Sequence, residues 1–212
     1  MTADEREMIY EINLVRTNPK GYVQYLLPLL KDANESLKLY GKGNKNYSLT
    51  ITTSTKNGKT AETTDTTWHF VNEEEVKALT SLIDDLNNLS PLSILKPDNG
   101  IYKAASKHVN DQKLHNWSLM HTGSDGSDPW DRILKFSPSM SFGNENIAGN
   151  SAQKVSARDI VIQLIIDSGI PGYGHRYNLL NPVWTHAACK HDLYKGMHWW
   201  VQNFGVKKKD QL

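Results

Sequence analysis

A single cysteine, Cys189, is all that this chain of 212 residues carries, so neither an intrachain disulfide nor a cysteine-built zinc finger can brace it. The folded state must rest on a hydrophobic core. A chain of this length can build one, as one large domain or two small ones, with a single domain the default. Lys and Arg number 24 against 23 Asp and Glu, a formal charge of +1, which provides no field to hold nucleic acid or an acidic membrane surface. No apolar run approaches the roughly 20 residues that span a bilayer. The charged start, Met1 to Glu7, has no apolar export core, which leaves a cytosolic chain and a processed, exported chain both open.

Helical signals dominate the first half. Thr2 and Glu5 fit a capping box before Met8, Ile9, Ile12 and Val15, predicting a helix to about Arg16. A second helical stretch runs from Gly21 to about Leu39, with Pro28 as a kink or a break. Residues 41–71 are rich in Thr and contain Asn57-Gly58, which predicts a hairpin ending near Trp68-His69-Phe70, with a low-complexity or disordered stretch as the competing view. Asn72 before Glu73-Glu74-Glu75 marks a helix start, and Val76, Leu79, Leu82, Ile83 and Leu86 form its apolar face.

From Pro97-Asp98 a helix is predicted to about His115, with Ile101, Ala104, Ala105, His108 and Val109 on one side. Residues 116–128 read as a loop before Asp128-Pro129 caps a short helix carrying Trp130, Ile133 and Leu134. A short strand is expected over Asn144–Ala148, then a helix from Ser156 to Ser168-Gly169. Val183–Lys190 and Trp199–Gly205 should pair as an antiparallel hairpin across residues 192–197. The absence of βαβ repetition makes this an α+β chain.

Several motifs fail. Gly58-Lys59-Thr60 lacks the first glycine of a phosphate-binding loop, because position 53 is Thr. No GxSxG elbow or HExxH helix is present. Asp125, Asp128 and Asp131 do not have calcium-loop spacing and suit turns and caps. Cys189, between Ala188 and Lys190, suits a buried strand position better than a nucleophile. His186, His191 and His198 are expected to stack on Trp184 or Trp199 of the terminal hairpin, and His108 and His115 share a helix.

Three polar segments remain, each at the edge of a predicted element: Met120-His121-Thr-Gly-Ser-Asp-Gly, Gly143-Asn144-Glu145-Asn146-Ile147-Ala148, and Gly172-Tyr-Gly-His175-Arg176-Tyr-Asn178-Leu-Leu-Asn-Pro182. Together with Glu11-Ile-Asn-Leu-Val-Arg-Thr-Asn-Pro19 and Trp200-Val-Gln-Asn-Phe-Gly205, they resemble the CAP superfamily, most closely its bacterial SCP-like extracellular branch. The resemblance covers about residues 3–35 and 97–206. It implies one domain over 1–212, an α-β-α sandwich with a central antiparallel sheet, and an inserted hairpin plus helix at about 36–96. It also implies an extracellular or cell-envelope location.

By the same resemblance, a cleft holds two histidines and two acids. These fall on His121, Glu145 and His175, with Asn146 and Arg176 beside them. The fourth position falls on Ser168, with Asp167 just before it. One residue along a helix turns a side chain by about 100°, so Asp167 and Ser168 are alternatives. Two imidazoles on separate loops suit a divalent cation such as zinc, with positions left for water or a ligand. Glu145 would then act as a base toward bound water or as an acceptor fixing an imidazole.

The reading preferred from sequence is a secreted or surface binding domain that takes a cation and a small or extended ligand in this cleft. A metal-dependent, peptidase-like hydrolase using Glu145 is the first alternative. The second is a structural envelope or adhesion domain that meets a cell-surface partner through the Thr-rich hairpin, whose edge offers unpaired backbone groups.

Overall fold

The computed structural model describes residues 1–56, 59–115 and 120–208, with the backbone alone over 50–56 and 59–63. In chain order the elements are α1 (Ala3–Thr17), α2 (Pro19–Tyr22), a 3-10 turn (Val23–Tyr25), α3 (Leu27–Tyr40), β1 (Lys45–Lys56), β2 (Lys59–Phe70) and α4 (Val71–Asn88). They continue with β3 (Lys96–Pro97), α5 (Asn99–Leu114), α6 (Pro129–Phe136), β4 (Met140–Asn150), α7 (Ala157–Ile166), a 3-10 turn (Pro171–Tyr173), α8 (Gly174–Leu179), β5 (His186–Tyr194) and β6 (Met197–Lys207). Contacts divide the chain into two compact units. The first comprises Met1–Pro19, Ser90–Leu164 and His175–Leu212, and the second Lys20–Leu89 and Ile165–Gly174.

In the first unit a four-stranded sheet of order β3-β5-β6-β4 is covered on both faces. Along β6 the side chains alternate between those faces. Trp199 and Val201 join Ala105 and Val109 of α5 in one apolar cluster. On the other face Gln202 donates to Met8 Sδ of α1 at 3.0 Å. The result is the α+β, helix-sheet-helix architecture expected. The sheet departs from a purely antiparallel one, because β3 pairs in parallel with β5 at Lys96–His186 and Pro97–Ala187.

Local chemistry explains the element ends. Thr2 and Glu5 form the predicted reciprocal cap, and Asp98 caps α5 by accepting from Ile101 N at 2.8 Å. Asp128 and Asp131 cap α6 reciprocally, with Pro129 in its first turn. The α5 residues Ile101, Ala104, Ala105, His108 and Val109 are all fully buried. Cys189 is buried too, and burial pushes its thiol well above its usual range. The terminal hairpin turns more tightly than the sequence suggests. Tyr194 pairs with Met197, so only Lys195 and Gly196 form the turn, at φ 51° and 76°. Positive φ at both central residues suits the right-handed twist of the strands.

The second unit packs α3 against α4, with Tyr22, Val23, Leu26 and Ala33 buried beside Ala78, Leu79, Leu82 and Leu86. Pro28 lies in the first turn of α3, where its missing N–H costs no helical bond, so the second stretch is broken there. β1 and β2 pair in register from Lys45–Phe70 to Lys56–Lys59; the Asn57-Gly58 turn lies outside the described residues. α4 begins at Val71 with no side-chain cap, one residue before the expected start. Its first donors are taken by the chain before the hairpin: Val71 N–H reaches Asn44 O at 3.0 Å and Asn72 N–H reaches Lys42 O at 3.1 Å.

Gly143 of β4 has backbone and side chain pressed against it. A Cβ there would stand 2.8 Å from Phe204 O and 2.7 Å from Ile133 Cδ1. Gly143→Ala should therefore destabilise the chain by about 1–3 kcal/mol, as overpacking does. Urea unfolding measures this, and an unchanged midpoint would show that the space can open without cost.

Candidate functional site

Glu145 and Asn146 are consecutive on β4, so their side chains leave the sheet on opposite faces. Glu145 pairs across β6 with Asn203 and Asn146 with Gln202. The two polar residues that the motif places side by side therefore serve different layers.

On the α5 and α6 side, Glu145 is 2% exposed and Arg132 of α6 is 1% exposed. Arg132 Nη2 lies 3.1 Å from both carboxylate oxygens and donates to His121 O at 2.8 Å. Its Nη1 donates to Ser127 O at 2.7 Å. His121 Nδ1 approaches Glu145 Oε1 at 3.1 Å, with the His121 side chain about half exposed. Asn203, with its amide nitrogen toward the carboxylate, donates to Glu145 Oε2 at 2.9 Å and accepts from Ala105 N–H at 3.2 Å. His108 of α5 completes the group: its Nε2 lies 3.0 Å from Met120 O and 3.6 Å from Glu145 Oε1.

The segment bearing His121 is tied to α5 by short polar contacts. Ser124 N–H donates to Asp111 Oδ2 at 2.8 Å, and Gly123 N–H to Ser127 O at 2.8 Å. Lys107 Nζ reaches Asp125 Oδ2 at 2.5 Å and, with Ser127, holds that carboxyl well below its usual range. The first part of the expected loop, 116–119, lies outside the described residues. Asp128 and Asp131 perform the capping duties expected of them.

On the opposite face the amides form a network. Asn146 Nδ2 donates to His175 O at 3.3 Å, and lies 3.4 Å from Gln202 Oε1. Asn178 of α8 donates to Asn146 Oδ1 at 2.9 Å and to Glu145 O at 3.2 Å. Its own carbonyl accepts from Trp184 Nε1 at 2.9 Å. Arg16 anchors the end of α8: Nη1 donates to Leu179 O and Asn181 O, both at 2.9 Å. Burial brings the Arg16 guanidinium down to about 10.

The fold joins His121 to Glu145, and places His175 at the head of α8 with its carbonyl on Asn146. Arg176 is buried in α8, its carbonyl accepting from Leu180 N–H at 3.0 Å. Asp167 and Ser168 belong to the second unit. α7 ends at Ile166, and Asp167, buried, has φ 57°. The expected helix to Ser168-Gly169 therefore stops short, and the rule of 100° per residue does not apply across the pair. Among the described residues, no group of three or more His, Cys, Asp or Glu side chains is disposed to hold a metal ion.

Arg132, His108 and Asn203 are the members that sequence reasoning missed. His108 left a trace as a polar residue on the apolar face of α5, and Asn203 as part of the Trp200–Gly205 segment. Burial pushes its imidazole below the ordinary 6.5; Arg132 acts in the same direction and the Glu145 carboxylate opposes it.

A family model described as CAP, cysteine-rich secretory protein family, matches residues 80–204, more than half of the chain. An outer surface protein from Borrelia burgdorferi is a similar solved structure, 22% identical, with 64% of this chain and 95% of that chain covered and a TM-score of 0.47. An extracellular protein containing an SCP domain from Bacillus anthracis is 22% identical, with 68% of this chain and 47% of that chain covered and a TM-score of 0.42. No curated protein matches the chain.

Removing one member of the buried ion pair leaves an uncompensated charge in the interior. Arg132→Met or Glu145→Gln should each cost about 3–5 kcal/mol in urea unfolding. The double variant should lose less than the sum of the singles, since the two contacts are one interaction; strict additivity would contradict the pairing.

His108 also sets a pH dependence. Its folded pKa lies below the unfolded value, so below pH 6.5 the unfolded chain takes up a proton that the folded chain refuses. Stability should fall as pH drops through this window, at a slope of up to about 1.4 kcal/mol per pH unit for one such histidine. His186 and His191 are lowered by burial as well and add in the same direction. The slope of melting temperature against pH should flatten in His108→Gln, and an unchanged slope would remove His108 from the account.

Proposed function

Because the chain belongs to the cysteine-rich secretory protein (CAP) family, we propose that it works outside the cell or at the cell envelope as a binding domain centred on His121, not as a hydrolase. The observation that carries this reading is the engagement of Glu145. Arg132, Asn203 and His121 take up both of its oxygens. A general base needs a free lone pair within reach of a water proton, and each oxygen of Glu145 already faces two donors. Its service is to His121: accepting from Nδ1–H fixes the tautomer and leaves the Nε2 lone pair for a ligand.

The donors suit a cation through imidazole only. His121 would contribute Nε2 and His175 the second nitrogen, with water completing the shell; zinc has the matching chemistry. Bound there, the cation would supply a Lewis-acidic anchor for a carboxylate or carbonyl of the ligand. With both oxygens of Glu145 engaged, that carboxylate is not counted among the ligands, so affinity would be modest.

The hairpin of the second unit favours a second reading, as a contact surface for a cell-surface partner. Tyr47 and Trp68 face each other across the strands with ring centres 5.2 Å apart, and both are more than half exposed. Leu49, two residues along the same strand face as Tyr47, is 55% exposed.

Zinc calorimetry on the wild type, His121→Ala and His175→Ala tests the first reading: each substitution should weaken binding at least tenfold, and identical heats would remove the site. With peptide and ester substrates, with and without chelator, no turnover that depends on Glu145 is expected; its appearance would restore the hydrolase. For the second reading, Trp68→Ala should reduce cell-surface binding while zinc heats stay unchanged.

A further inference from the structure

His191 and His198 lie outside the site described above. His191 is on β5 opposite Trp200, and His198 is on β6 opposite Leu193. Since alternate residues share a sheet face, the two histidines are diagonal neighbours on one face of the hairpin. His191 Nε2 and His198 Nδ1 stand 3.0 Å apart. The ring planes agree within 8° and the ring centres are 5.1 Å apart, so the rings meet nearly edge to edge and share one hydrogen. His191 is held by the indole of Trp200, parallel within 14° at 3.9 Å between centres. The sequence points to Trp184 or Trp199 as the stacking partner; strand register gives Trp200 instead.

We infer that His191 and His198 form a surface chelate for a divalent transition-metal ion, Cu²⁺ before Zn²⁺, separate from the His121 site. Two nitrogens about 2.0 Å from one cation lie about 2.8 Å apart at a right angle and about 3.3 Å apart at the tetrahedral angle, and the observed 3.0 Å falls between these. The near-right angle suits tetragonal Cu²⁺, which also heads the affinity order for imidazole sites. Binding replaces the shared hydrogen. The donor ring passes to its other tautomer, so each ring presents one lone pair and no net proton is released from neutral histidines.

The surroundings support a cation. Burial first, and then His198, keeps the His191 imidazole below the ordinary value, while Asp4 and Glu5 of α1 and Asp192 of β5 bring negative charge to bear on it. Glu5 also accepts from His191 N–H at 3.3 Å, fixing the strand at this point. His191 is thus the fixed arm. His198 stands one residue inside the strand from Met197, next to the two-residue turn, and a turn of its half-buried ring would bring its lone pair toward the ion.

The test uses the full chain carrying His121→Ala and His175→Ala, which removes the other proposed site. Copper(II) chloride is titrated by calorimetry and by electron paramagnetic resonance, and zinc chloride is run in parallel. One equivalent of Cu²⁺ with a spectrum showing coordinated nitrogen is expected, with Zn²⁺ binding at least tenfold more weakly. Adding His198→Ala should weaken Cu²⁺ at least tenfold; His198→Gln should do the same while circular dichroism confirms the fold. No copper uptake, uptake unaffected by both substitutions, or a spectrum without nitrogen coordination would overturn the assignment. Failure of the His121 reading appears separately, as zinc heats in the wild type that do not depend on His121 or His175.

Discussion

The buried pair of Glu145 and Arg132 organises the first unit. Two charges taken out of water gain little net stability from each other, because desolvation offsets most of their attraction. What the pair gains is arrangement. Arg132 grips the carboxylate, the carbonyl of His121 and the carbonyl of Ser127 with one planar fork. It thereby fixes β4, α6 and the loop that leads into α6 with respect to one another. α5 contributes His108 and β6 contributes Asn203, so each element on this side of the sheet has a polar reason to sit where it does.

That arrangement governs what chemistry is open to the site. A carboxylate in a cleft invites a catalytic reading, and the motif alone supports one. Burial and full hydrogen bonding turn the same residue into a support for its neighbour. His121 is the exposed end of a chain that runs from guanidinium to carboxylate to imidazole, and only the last member meets solvent. Binding is what such an end can do without further parts.

Much of the fold was legible because caps and periodicity are local. Thr2 with Glu5, Asp98, and Asp128 with Pro129 announce their helices within four residues, and the apolar side of α5 was read residue for residue. The losses have physical causes. Arg132 sits in an eight-residue helix beside Asp131 and Lys135, and nothing local distinguishes a buried arginine from a solvated one; its partner lies thirteen positions away. The start of α4 depends on carbonyls of Asn44 and Lys42, across a hairpin. The terminal turn reads too wide in the sequence because Asp192, Leu193 and Tyr194 carry no mark separating a strand end from a loop; within this stretch Lys195 and Gly196 are the pair with positive φ. Adjacency in the motif groups Asn146 with Glu145, whereas strand geometry sends neighbours to opposite faces.

The alternation on β4 reaches beyond the site. Glu145 answers to Arg132 on one side of the sheet while Asn146 answers to Asn178 on the other. A slip of one residue would drive the carboxylate among the amides and leave the guanidinium facing an amide. Both errors are penalised at once, so the strand reads its own alignment twice. In a chain with no covalent crosslink, these two polar contacts do the work of a pin: they permit a single alignment of β4 at the edge of the sheet, where only one neighbouring strand holds it.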